Sequence, residues 1–161
     1  MTEQDVIDFV YHEAQLIDEL RLDQWVELFT DDGYYWMPLQ RGQTDTRLQA
    51  SLMYEDKLLL KVRAERLTGK RTFSQQPVSY CHHLLQRPQI RHNDPAHDPQ
   101  KGVYVVRTAF HYIETRQDDQ RLYAGWSTHT LVDEADGLRI RLKKVELVNP
   151  DAAFGSIQLF M

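Results

Sequence analysis

The spacing of apolar residues changes once along this chain, near residue 78, and no other feature narrows the fold as much. Upstream, apolar positions recur every three or four residues; downstream they recur every second residue. Segments 78–92, 103–115, 121–132 and 138–149 read as long strands. The breaks between them hold turn-forming sequence: Asn93-Asp94-Pro95, Asp118-Asp119 and Asp136-Gly137. Short links between long strands imply an antiparallel meander, because parallel pairs need long crossovers. Tyr104, Val106, Phe110 and Tyr112 share one face of their strand, and Leu122, Ala124, Trp126 and Val132 share one face of the next. In the last segment Leu138, Ile140 and Leu142 are in phase, whereas Val145 and Leu147 take the other parity. A one-residue shift near Lys143-Lys144 explains this as a β-bulge, which bends a strand.

The upstream part predicts three helices. Over the first ~20 residues, Thr2 and Asp5 form a capping pair, and Val6, Val10, Ala14, Ile17 and Leu20 make one apolar stripe, widened by Phe9 and Leu16. A second helix follows the N-cap Asp23 and carries Trp25, Val26, Leu28 and Phe29. Asp31-Asp32-Gly33 then reads as a stop and turn. Tyr34 to Pro38 reads as an aromatic strand, with the proline marking an edge or a strand end. Residues 40–51 are polar and loop-like. A third helix is predicted over Tyr54 to Leu67, with Leu58, Leu59, Val62 and Leu67 inward and Gly69 as C-cap. Ser74 to Pro77 reads as a connector. Helices on one face of a curved antiparallel sheet make an α+β cone with room for a cavity.

With 161 residues and no linker or repeat, the chain reads as one domain, 1–161, large enough for its own core. The balance of 19 basic against 24 acidic residues argues against a nucleic-acid partner, which needs clustered Lys and Arg. No apolar run is long enough for a membrane span. The acidic start, Met1 to Asp5, lacks the features of a secretory signal. With one cysteine, Cys81, this favours the cytoplasm. A Rieske cluster needs two Cys and two His, so this chain cannot build one, and a Cys-built zinc site is equally excluded. Any redox chemistry must run through another chain.

Seven histidines invite a metal or acid–base reading. His82 and His83 point to opposite faces of a strand and do not chelate one ion easily. His92 and His97 have H-x4-H spacing, but the spacer is a turn, and nothing fixes Asp94 or Asp98 beside them. His12, His111 and His129 are candidates for an acid–base pair or are satisfied structural histidines. Cys81 reads as a small buried hydrophobe. Arg139, Arg141, Lys143 and Lys144 read as a solvated or subunit-contact face. The apolar tail from Ala152 to Met161 belongs in the core or against another subunit.

The run from Asp23 to Pro38 resembles the N-terminal helix–strand segment of the small (β) subunits of aromatic-ring-hydroxylating dioxygenases. So do Ser51 to Asp56 with Leu58-Leu59, Arg63 to Leu67, Ser74 to Pro77, Lys143 to Asn149, and Ile157 to Phe160. The resemblance runs in order over nearly the whole chain; its length and Gln75-Gln76-Pro77 are similar to salicylate hydroxylase-type members. It implies an NTF2-like or cystatin-like cone and a place in an α3β3 terminal oxygenase. In that family the large α subunit carries the Rieske 2Fe–2S cluster and the mononuclear iron, and the small subunit supports the assembly without cofactor or metal. The resemblance carries over no catalytic residue. Trp36, Arg139, Arg141 and Phe160 are the candidate subunit-interface residues. The rival is a stand-alone NTF2-like dehydratase or isomerase with a pocket His/Asp pair; a plain ligand-binding module is a third reading.

Overall fold

The computed structural model describes residues 1–45, 51–69, 78–149 and 159–161. Its elements run α1 (Glu3–Asp18), α2 (Leu22–Glu27), β1 (Phe29–Pro38), β2 (Ser51–Asp56), α3 (Lys57–Thr68), β3 (Tyr80–Leu85), β4 (Gln89–Ile90), β5 (Val103–Arg116), β6 (Asp119–Glu134) and β7 (Gly137–Leu147). One curved sheet has the order β2-β1-β7-β6-β5-β3, with β4 also on β5. The meander holds for β5, β6 and β7, which pair antiparallel. It does not hold for β1, which crosses over to pair parallel with β7. β1 therefore lies inside the sheet, and Pro38 sits at its end, where its pairing with β2 shifts register.

Helix α1 starts at a capping box. The Asp5 N–H donates to Thr2 Oγ1 at 3.2 Å, and the Thr2 N–H donates to Asp5 Oδ2 at 2.6 Å. Its apolar stripe is buried, and Glu13 is buried with it. α1 packs on β3 and β5, while α3 packs on α2 and β1. α2 starts two residues earlier than expected: Arg21 is the N-cap, without a side-chain bond, and Asp23 lies in the first turn. Phe29 belongs to β1, not to the helix. The expected stop at Asp31-Asp32-Gly33 is instead part of β1, where the pairing with β7 skips from Phe29↔Ile140 to Tyr34↔Leu142. Gly33 permits this close pass, since a Cβ there would lie 2.7 Å from the Ile140 carbonyl oxygen.

The loop expected up to residue 51 ends in β2, and α3 begins at Lys57, where Asp56 Oδ1 accepts the Leu59 N–H at 2.9 Å. Its buried face is Leu60 and Ala64, whereas Leu58, Leu59 and Val62 are exposed. The expected inward set is thus corrected for these three, whereas Leu67, the fourth, does pack against the core. A 12-residue helix with a narrow i, i+4 stripe buries only the side that meets α2 and β1. Gly69 is the C-cap, in extended conformation.

The inward face of β5 is Tyr104, Val106, Phe110 and Tyr112, as its alternation predicts. Antiparallel partners share a face, and Tyr112 opposes Tyr123. Tyr123, Ser127, His129 and Leu131 therefore point inward from β6. Leu122, Ala124, Trp126 and Val132 share a face, and it is the outer one. The bulge exists but lies at Arg141, two positions before the expected place: Leu131 pairs with Ile140 and Thr130 with Leu142. Beyond it Lys143, Val145 and Leu147 turn inward. Leu159, Phe160 and Met161 complete the core against Trp25 and Tyr35. The connector Ser74 to Pro77 and the tail from Ala152 to Gln158 lie outside the described residues.

Candidate subunit interface and the buried polar interior

The cone interior holds two polar clusters. In the first, Glu13 on α1 accepts three hydrogen bonds: from Lys143 Nζ at 2.5 Å, Trp25 Nε1 at 2.8 Å and His129 Nε2 at 3.1 Å. Glu13, His129 and Lys143 are each 1–2% exposed. Burial alone would raise the Glu13 pKa, but the Lys143 ammonium and the His129 contact reverse this and hold the carboxyl well below its usual range. Burial lowers the His129 pKa, and the Lys143 charge adds to that, outweighing the pull of Glu13. His129 is thus neutral, donates through Nε2, and leaves Nδ1 without a partner.

Both shifts make the fold acid-sensitive. Below pH 6.5 the unfolded chain protonates His129 while the folded chain resists it; below 4.5 the same holds for Glu13. Stability is therefore expected to decline in two steps as pH falls from 7.5 to 3.5. Urea midpoints should show the upper step, and a His129→Gln variant should lose it. An unchanged wild-type midpoint between pH 7.5 and 5.5 refutes this.

The second cluster joins α1 to β3. His83 Nδ1 lies 2.6 Å from Asp18 Oδ1, the His83 N–H donates to Asp18 Oδ2 at 3.0 Å, and Cys81 Sγ lies 3.6 Å from Asp18 Oδ1. Burial opposes ionisation of Asp18, but the His83 bonds prevail and lower its pKa. Burial pushes the Cys81 thiol well up, so it is no nucleophile. Asp18, Cys81 and His83 are the group of convergent metal-type donors among the described residues. Here they bond to one another.

Of the other histidines only His92 and His97 meet, edge to face with ring centroids 5.4 Å apart, and no carboxylate converges with them in a group of metal-type donors among the described residues. His82 is exposed, opposite in face to His83. His97 Nδ1 accepts the Val105 N–H at 3.1 Å, and His92 is exposed near Glu3. His111 is on the outer sheet face, and His12 lines a shallow surface opening near Met1. The Asp18–His83 pair is the His/Asp pair of the rival reading, yet neither residue lines the grooves of about 430 and 330 Å³ described here.

Those grooves lie on the outer face of the sheet. Lys144 Nζ sits 4.8 Å over the Trp36 ring and Arg107 sits 5.0 Å over the Trp126 ring. Trp36, Lys144, Thr128 and Arg107 are direct neighbours across β1, β7, β6 and β5. Tyr34 stacks on Tyr54 at 5.1 Å, and Leu84 and Leu122 are more than 60% exposed. Of the four sequence-derived interface residues, Trp36 lies toward this outer face but is 5% exposed beneath Lys144, with its Nε1 donating to Ser51 Oγ at 3.0 Å. Arg141 is exposed at the bulge, and Arg139 pairs with Asp136. Phe160 is wholly buried in this chain's own core, so its side chain offers no surface to a neighbour.

Sequence reasoning missed Glu13, and it put Lys143 on a solvated or subunit-contact face, whereas Lys143 is buried because the bulge at Arg141 turns it inward onto Glu13. Glu13 stands three residues from Val10 and seven from Val6, on the apolar stripe, which was the available signal. Lys143 shares parity with Val145 and Leu147.

A family model described as "Ring hydroxylating beta subunit" matches residues 12–151. The chain belongs to that family. Its relatives include the small oxygenase component of the p-cumate 2,3-dioxygenase system of Pseudomonas putida, 32% identical and covering 89% of this chain and 78% of that protein. The 2-halobenzoate 1,2-dioxygenase small subunit of Burkholderia cepacia is 29% identical and covers 90% of this chain and 87% of that protein. The solved beta subunit of the benzoate 1,2-dioxygenase of Burkholderia mallei shares the fold, with TM-score 0.74, 23% identity and coverage of 99% and 98%. This beta subunit is part of an oxygenase complex, with an NTF2-like fold, and the stand-alone dehydratase or isomerase reading is not favoured.

Proposed function

We propose that the chain, one domain over 1–161, is the non-catalytic small subunit of a terminal oxygenase acting in aromatic compound catabolism in the cytoplasm. It supports an α3β3 assembly. Its partners are a large subunit, which carries the Rieske 2Fe–2S cluster and mononuclear iron, and two further copies of itself. It needs no cofactor of its own. The observation that carries this is the outer sheet face: Leu84, Ala124 and Trp126 line a groove whose Trp126 ring is capped by Arg107, with Leu122 exposed on the same face, whereas the interior is filled by the chain's own side chains. An aromatic and apolar centre with Arg at its edge is the composition of a subunit contact. In a three-fold ring each contact joins two different patches, so Arg139 and Arg141 on β7 serve a different neighbour from Leu84 and Leu122 toward the β3 edge.

The test is co-expression with the large subunit. Equimolar co-elution at the mass of three copies of each, with all iron in the large chain, is the expected result. Turnover by this chain alone, or persistent separation of the two, overturns it. A Leu84→Asp/Leu122→Asp variant should keep its far-UV circular dichroism and bind its neighbours at least tenfold more weakly, since one well-placed anchor is worth about 2 kcal/mol. Assembly at wild-type strength would move the contact to another face.

A further inference from the structure

The space between the helices and the sheet holds a segment that surrounding side chains grip as they would a bound peptide. The Leu159 N–H donates to Glu114 Oε1 at 2.8 Å. The Met161 N–H donates to the Tyr35 hydroxyl at 3.1 Å, and that hydroxyl donates to the Met161 carbonyl at 3.2 Å. Between them the Phe160 ring is fully enclosed. Its centroid is 4.3 Å from that of Trp25 at 32° and 5.5 Å from that of Tyr35 at 73°, and the Arg63 guanidinium lies 5.9 Å from it. These are the contacts of an aromatic-ring receptor.

We propose that this cone is a binding site for a neutral monocyclic aromatic of toluene size, occupied in cis by Phe160. The site's walls are fixed independently of the ring. Trp25 is pinned through Nε1 to Glu13, which is itself held by Lys143. Arg63 is tied to Glu55, with its Nε at 3.0 Å from Oε2. Walls so anchored do not close when the ring is withdrawn, and an apolar cavity that stays open stays dry and takes up benzene-sized molecules. The pairing of Arg63 with Glu55 also sets selectivity. Its charge is already compensated, so an aromatic carboxylate finds no free cation, and the buried carboxyl groups of Glu13 and Glu114 disfavour a further carboxylate beside them. The claim concerns the interior alone and is independent of whether the outer face binds a large subunit.

The test uses the full chain with Phe160→Ala. Its near-ultraviolet circular dichroism reports whether the core stays folded, and thermal midpoints are read with toluene, with benzoate and with neither. Saturating toluene is expected to raise the variant's midpoint by about 3 °C or more, with benzoate giving no rise and wild type giving none with either. A folded variant that toluene does not shift overturns the proposal. So does an equal shift in wild type, where the ring site is filled, or an equal response to benzoate. If Phe160→Ala does not fold, Phe160→Leu is put to the same question with benzene: uptake supports the site and its absence refutes it.

Discussion

Lys143→Ala is expected to destabilise the fold by about 3–5 kcal/mol, because it strands the Glu13 carboxylate in a buried site without its cation. The carboxylate keeps only the neutral donors Trp25 and His129. Its ionised form is then no longer favoured over desolvation, and it takes up a proton or drags water inward. Chemical denaturation at pH 7 measures the loss. The paired variant Glu13→Gln/Lys143→Met should recover most of it, since removing both charges removes the penalty that one alone creates. A single variant within 1 kcal/mol of wild type would show that the pair carries no such cost. The same reasoning explains the acid sensitivity derived from His129 and Glu13: the cluster is stable while Glu13 is charged and His129 is not.

Gly125→Ala should be nearly as damaging, by about 3 kcal/mol or a fall in melting temperature of about 10 °C. A Cβ at Gly125 would stand 2.1 Å from the Glu146 carbonyl oxygen and 2.9 Å from the Leu147 Cα. Both are backbone, so no rotamer change relieves the overlap, and β6 and β7 must separate where Gly125 pairs with Leu147. The exposed edge of that separation is the outer groove, lined by Gly125, Trp126 and Val148. A variant that survives is therefore expected to bind its neighbours less well too. Calorimetry of the purified chain checks the first effect, and a melting temperature within 2 °C of wild type would refute it.

The strands β5, β6 and β7 were legible because alternation survives over many residues and their turns carry Asp and Gly, whereas the expected long strand 78–92 is broken into β3 and β4 around Arg87-Pro88, where proline cannot donate to a ladder. The capping box of α1 was legible because Thr2 and Asp5 are local. What failed was orientation. Both parities of β6 contain apolar side chains, Tyr123 and Leu131 on one and Leu122 and Trp126 on the other. Only pairing with β5 decides which set is buried. α3 failed in the same manner, because Leu58, Leu59 and Val62 make as apolar a stripe as Leu60 and Ala64. β2, six residues with no turn chemistry ahead of it, left too short a pattern to separate from the helix it precedes.

The chain's order of elements, its helix start and its antiparallel hairpins follow from periods and caps that act between residues close together. One cysteine shows that this chain by itself cannot supply the ligands of a Rieske cluster. Which apolar face is covered, where the strand bulges, and that Glu13 meets Lys143 across 130 residues depend on contacts between distant segments. Such contacts exist only once the sheet has closed over the helices, since a local pattern states that a face is apolar and the packing of its neighbours states which side of it meets water.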